Sequence, residues 1–123
     1  MLIKLEKVRR KSAIYYGVNQ NILISIIISA YNNERYVLSA VNSVMSQKVD
    51  NIEVILVDDG STDQTPQILD RLADEYQNVH VIHQENRIYA SFNNGIKRAV
   101  GEYIYILNSD TRLNENSLQL FIR

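Results

Sequence analysis

Apolar residues follow two rhythms along this chain. Leu23-Ile24-Ser25-Ile26-Ile27-Ile28 and Ile52-Glu53-Val54-Ile55-Leu56-Val57 are short runs rich in β-branched residues, each broken by one polar position. Such runs predict strands buried on both faces, where side chains pointing either way meet an apolar layer. Val79-His80-Val81-Ile82 predicts a third strand and Glu102 to Leu107 a fourth. Between the strands the spacing changes. Val37, Ala40, Val41, Val44 and Met45 recur at i, i+3, i+4, i+7 and i+8, one stripe of a helix. Asn32 or Asn33 is expected to cap that helix through its short polar side chain. Thr65 is expected to cap a second helix with Pro66 as its first residue, and Ile68, Leu69, Leu72, Ala73 and Tyr76 form its apolar face. A third helical segment near 90–100 is expected to stop at Gly101, and Asn114 to cap a short last helix.

Strands alternating with helices predict an α/β domain with a mostly parallel sheet. Right-handed crossovers place helices on both faces. Ligands of such sheets sit at the carboxyl ends of the strands, so the residues after each strand carry the functional question. Ser29-Ala30-Tyr31-Asn32-Asn33-Glu34 follow the first strand, Asp58-Asp59-Gly60-Ser61-Thr62-Asp63 the second, and Asn108-Ser109-Asp110-Thr111 the fourth. Three polar clusters on one edge form one composite site.

Composition narrows the possibilities. A chain of 123 residues, 46% hydrophobic and with net charge −1, suits one soluble core. The near-neutral balance argues against a dedicated nucleic-acid binder. Without cysteine there is no disulfide scaffold, thiolate metal site or thiol nucleophile. The longest apolar-rich stretch, Ile22 to Ala30, is far short of the about 20 residues a membrane span needs. Nor do the first residues have the form of a secretory signal, so a cytoplasmic location is expected. Charge divides the chain in two. Residues 1–21 hold five bases (Lys4, Lys7, Arg9, Arg10, Lys11) and one acid, Glu6. They read as a basic extension, expected to form a short helix, ahead of an acidic domain over 22–123. The plain reading is a solvated tail; the sharper one is peripheral contact with an anionic membrane surface, which clustered bases attract.

The residue types at the strand ends constrain the ligand. No glycine-rich phosphate loop follows the first strand, which argues against a dinucleotide or P-loop domain. Asp58, Asp59 and Asp110 can accept donors from a base and ribose, or hold Mg²⁺ or Mn²⁺ through hard oxygens. Tyr31 offers a ring for stacking. Each residue also has a plain reading: a tight turn at Asp58-Asp59-Gly60, a loop acid at Asp110, a packing ring at Tyr31. His80 and His83 read as structural, because no further His or Cys exists to join them around a metal. Tyr103 and Tyr105 read as core or interface. Joint placement on one edge, more than any single residue, points to a metal-assisted nucleotide site.

The order of these motifs resembles that of the family 2 glycosyltransferases. The matching pieces are ISIIISAYNNERYVLSAVNSVMSQ, IEVILVDDGSTDQTPQIL and GIKRAVGEYIYILNSDTRL, spanning about Leu23 to Leu113. The resemblance implies a GT-A Rossmann-like fold, strand order 3-2-1-4, in a chain holding the donor-binding half. It implies that Ser29 and Tyr31 line the nucleoside pocket, Asp59 accepts from the base, Asp58 supports the same loop, and Asp110 binds Mg²⁺ or Mn²⁺ on the donor diphosphate. The implied reaction is inverting transfer of a sugar from a UDP- or dTDP-type donor to a hydroxyl of a glycan or lipid-linked acceptor. Departures are Asn108 for the family's first metal acid, Thr111 for the acid that often follows, and Ile88 and Phe92 in the segment Glu85 to Gly95. No residue matches the family's general base, so catalytic turnover is not expected of these residues alone. The alternative is a degenerate nucleotide-binding or assembly domain that self-associates. Phosphotransfer folds fit poorly, since they require acids after different strands.

Overall fold

The computed structural model describes residues 2–4, 22–85 and 91–121. Its sheet has five strands: β1 (Leu2–Lys4), β2 (Ile24–Ala30), β3 (Ile52–Asp59), β4 (Val79–Gln84) and β5 (Tyr103–Asn108). The helices are α1 (Val37–Met45), α2 (Thr65–Glu75), α3 (Ser91–Arg98) and α4 (Ser117–Phe121). The strands lie in the order β1-β5-β2-β3-β4, with β2, β3, β4 and β5 parallel. In terms of the four strands read from the sequence, this is the expected 3-2-1-4. The fifth strand was not foreseen. Leu2–Lys4 runs antiparallel along β5, pairing Leu2 with Tyr105 and Lys4 with Tyr103. The start of the basic segment is therefore strand rather than helix, and residues 5–21 lie outside the described residues.

Alternation along the central strands divides the interior into two layers. Ile24, Ile26, Ile28 and Ala30 of β2 join Ile52, Val54 and Leu56 of β3 on one face, covered by Val37, Val41 and Val44 of α1 and Leu69 and Leu72 of α2. Ile27, Ile55 and Val57 face the other way, toward Phe92, Ile96 and Ala99. α3 approaches this face closely because Gly95 has no side chain: a Cβ there would come within 2.5 Å of Ile27 Cγ2.

Two helix starts differ from the sequence expectation. α1 begins with Tyr36 as its cap residue and no side-chain cap. The Asn33 carbonyl receives the Tyr36 and Val37 N–H groups instead. Asn32 adopts a left-handed φ of 46°, which asparagine tolerates better than most residues, and its side chain is used elsewhere. At α2, Gln64 is the cap residue and Thr65 is already helical. The carboxylate that caps it belongs to Asp63, whose Oδ1 accepts the Thr65 N–H at 2.8 Å. Gly101 lies three residues beyond the end of α3, and α4 begins at Ser117, with the Asn114 carbonyl rather than its side chain accepting the Ser117 N–H.

At the opposite end of the sheet from the polar clusters, a buried carboxylate fixes the entry to β5. Glu53 Oε1 accepts the Ser25 hydroxyl at 2.7 Å and the Val100 N–H at 2.9 Å. Ser25 Oγ in turn accepts the Gly101 N–H at 2.8 Å. The polar interruptions of the first two apolar runs are thus one network, satisfied within the sheet.

Candidate functional site

The three polar clusters converge on the carboxyl end of the sheet, as the strand pattern requires. The loop after β2 and the loop after β3 are sewn together by reciprocal hydrogen bonds. Asn32 N–H donates to Ser61 Oγ (3.0 Å), and Thr62 N–H donates back to Asn32 Oδ1 (2.7 Å). Asn33 N–H donates to Thr65 Oγ1 (2.9 Å), Glu34 N–H to Asp63 Oδ2 (3.2 Å), and Gln64 N–H to Glu34 Oε2 (2.9 Å). The third loop joins through Asn33 Nδ2, which donates to Ser109 Oγ at 2.6 Å. Backbone groups that a loop would otherwise leave to water are thus paired across the rim.

Asp58 and Asp59 are both buried, 4% and 5% exposed, and adjacent strand residues point to opposite faces. Asp58 turns toward α2. Its Oδ1 accepts the Ser61 N–H at 3.0 Å and shapes the turn at Gly60, where φ is 78°. Asp59 turns toward α3, where Gln84 Nε2 donates to its Oδ1 at 2.9 Å and Asn94 donates to Gln84 Oε1. Ser29, half-buried, pairs in register with Asn108 on β5 and Val57 on β3, so it shares the Asp59 face. Tyr31 is half exposed beside them. Asp110 is exposed two residues past β5, and Thr111 Oγ1 lies 3.3 Å from its Oδ1. Ser29, Tyr31, Asp58, Asp59 and Asp110 therefore all stand at or just past the carboxyl ends of β2, β3 and β5. Among the described residues, no group of three acidic or histidine side chains gathers as a metal cage.

Sequence reasoning missed the supporting residues. Asp63 was not singled out, yet it ties both loops. Burial opposes its ionisation, but the Thr65 side chain and the Thr65 and Glu34 N–H groups outweigh that and hold its carboxyl below the usual aspartate value. Its contribution is present above that value and is lost as pH falls through the lowered one. His83, which reads as structural from the sequence, sits between two carboxylates, 2.8 Å from Asp58 and 2.7 Å from Asp70. The available signal was positional. His83 lies near the end of the strand beside Asp58, and Asp70 lies in the helix between them in sequence. Residues 86–90, including Ile88, lie outside the described residues. A separate groove of about 510 Å³ runs along the outside of α1, between Arg35, Leu38 and Arg112.

Residues 25–123 match the family described as glycosyl transferase family 2. The chain belongs to that family. Among curated relatives of the family it is 42% identical over 99 residues to "Glycosyltransferase GlyG" of Streptococcus pneumoniae, covering 79% of this chain and 33% of that protein. It is 37% identical over 101 residues to "Putative glycosyltransferase EpsH" of Bacillus subtilis, covering 81% and 29%. The chain thus spans about a third of the length of these relatives. A solved structural neighbour is S. aureus TarS in complex with UDP-GlcNAc, with TM-score 0.75 and 31% identity over 81% of this chain and 30% of that one. The parallel sheet and its helices are therefore a GT-A Rossmann-like fold.

Proposed function

We propose that residues 22–123 form the donor-binding part of a glycosyltransferase that moves a sugar from a nucleoside diphosphate, of UDP or dTDP type, to a hydroxyl of a glycan or lipid-linked acceptor. The observation that carries this reading is the rim itself. Three strand ends, hydrogen-bonded into one surface, present Ser29, Tyr31, Asp59 and Asp110 together in a member of family 2. The identity with TarS, which binds UDP and UDP-GlcNAc, supports a uridine donor. Asp59, held by Gln84, is the acceptor for a base N–H; Tyr31 offers the stacking ring; Asp58 keeps the turn in shape.

Asp110 would hold a divalent cation through its hard carboxylate oxygens. Mg²⁺ or Mn²⁺ held there would stabilise the departing nucleoside diphosphate as a Lewis acid. Transfer is proposed to invert, with a carboxylate base acting on the acceptor hydroxyl. No residue of this chain is assigned that role, so these residues are expected to bind donor without turning it over. Membrane contact is reserved for the basic residues 1–21; among the described residues no helix is long and apolar enough to cross a membrane.

Calorimetric titration with UDP and dTDP, with and without Mn²⁺, tests the reading. Metal-dependent binding is expected, weakened about 10- to 100-fold by Asp59→Ala, the range for losing a charge-assisted hydrogen bond. Asp110→Ala is expected to abolish the metal dependence. A folded chain that binds neither nucleotide would refute the proposal. The second reading, an assembly domain, draws on the exposed Tyr36 and Leu38 at the start of α1; a dimer by sedimentation, together with no nucleotide binding, would favour it.

A further inference from the structure

His83, one residue before the end of β4, lies directly beside Asp58 of β3 in the parallel register. Its Nδ1 lies 2.8 Å from Asp58 Oδ2 and its Nε2 2.7 Å from Asp70 Oδ1 on α2. Ionised carboxylates only accept hydrogen bonds, and a neutral imidazole has a single N–H. The ring can donate to both acids only as the imidazolium. The two acids are unlike: Asp58 is buried, whereas the Asp70 side chain is 60% exposed. Among the described residues, no other cation pairs with either.

The Asp58 carboxylate leads from this ring to the rim. Its second oxygen holds the Ser61 N–H, Ser61 Oγ holds the Asn32 N–H, and Asn32 Oδ1 holds the Thr62 N–H. The proton on His83 is thus three residues removed from the surface on which Tyr31 and Asp59 stand. We propose that His83 is a positioning residue for the nucleoside pocket: as imidazolium it clamps Asp58 to α2, and on losing its proton it loosens the Asp58–Asp63 turn and weakens nucleotide binding. This rests on the donor-binding reading above.

Among the described residues, the charged groups paired with the ring are Asp58 from β3 and Asp70 from α2. α3, with Lys97 and Arg98, packs on the other face of the sheet, as does His80, and Glu85 follows exposed at the strand end. The hydrogen bond to Asp58 raises the His83 pKa most; burial opposes it, and Asp70 adds to the rise. The clamp is therefore fully present below the ordinary histidine value and is lost as pH rises through the raised one. The neutral ring keeps one N–H, but the buried Asp58 carboxylate then has no countercharge.

The test follows the His83 ring nitrogens and the Ser61 amide by NMR from about pH 5.5 to 9, spanning the ordinary histidine value. UDP affinity is measured at the same pH values by calorimetry at constant Mn²⁺. The ring is expected to titrate above the ordinary value, the Ser61 amide to follow with the same midpoint, and UDP affinity to fall about fivefold or more across it, a modest coupling between two sites. Asp70→Asn, outside the pocket, is expected to move the ring midpoint and the UDP-affinity midpoint down together; with a purely structural role the ring midpoint alone would move. His83→Gln is expected to give a flat, weak profile. A ring midpoint at or below the ordinary value, or a Ser61 amide indifferent to it, overturns the clamp. UDP affinity that is tight but flat with pH overturns the inference while leaving the donor-binding reading standing. No UDP binding at any pH brings down both.

Discussion

Gly101→Ala is expected to destabilise the domain by about 3 kcal/mol, the upper range for forcing an extra group into a packed site. The reason is what the new methyl would meet. A Cβ at Gly101 would lie 2.6 Å from both the backbone N and the Oγ of Ser25, and 2.9 Å from the Ile24 carbonyl carbon. Two of these are backbone atoms of the central strand β2, so they cannot rotate away as a side-chain end can. Relief requires β5 to draw back from β2 or the turn after α3 to lift, and either movement breaks the Gly101–Ser25 hydrogen bond. Urea unfolding should show the midpoint falling with little change in slope. In a heating scan the loss corresponds to a drop on the order of 10–20 °C for a domain of this size. A midpoint within about 0.5 kcal/mol of wild type, the range of a neutral surface change, would show that the contact yields more easily than its geometry indicates.

The second large effect belongs to Glu53, the same network seen from β3. Glu53→Ala removes the acceptor for two buried or part-buried donors, the Ser25 hydroxyl and the Val100 N–H. Stranding such a donor costs about 1–3 kcal/mol, so the substitution is expected to cost about 3 kcal/mol in all. Glu53→Gln keeps an amide oxygen in the accepting position and should lose less than about 1 kcal/mol, since a neutral acceptor can replace the ionised one at reduced strength. Comparing the two by urea unfolding separates the role of the charge from that of the acceptor. Equal losses from both would mean that the charge, rather than the acceptor, holds the turn. Because Ser25 bridges Glu53 and Gly101, the Glu53 and Gly101 substitutions should not add in a double mutant.

The strands and helices were legible because their apolar spacing reports burial directly. Ile24 to Ile28 and Ile52 to Val57 have no exposed face, and the structure buries nearly all of them. The strand order followed from family resemblance, because spacing within one element says nothing about which strand lies beside it. Capping was misread where a nearby group competed. Asn32 has the residue type of a cap, but its side chain serves the neighbouring loop, and Asp63 reaches the Thr65 N–H first. The site was legible as a set of strand ends, and its supports were not. Nothing in the sequence distance between His83, Asp58 and Asp70 shows that a parallel register and one helix bring them within a hydrogen bond. A three-residue edge strand, too short to show any periodicity, was invisible for the same reason.

That short strand has a practical consequence for anyone preparing the protein. Leu2–Lys4 covers the outer edge of β5, the strand that carries Asn108 toward the rim. A recombinant version trimmed to begin at residue 22 would leave a row of β5 backbone donors and acceptors open to solvent, and open strand edges recruit strands from other molecules. Trimmed preparations should therefore clump at concentrations where the intact chain stays dispersed, and a tag fused ahead of Met1 is better tethered by a flexible spacer than abutted to the strand.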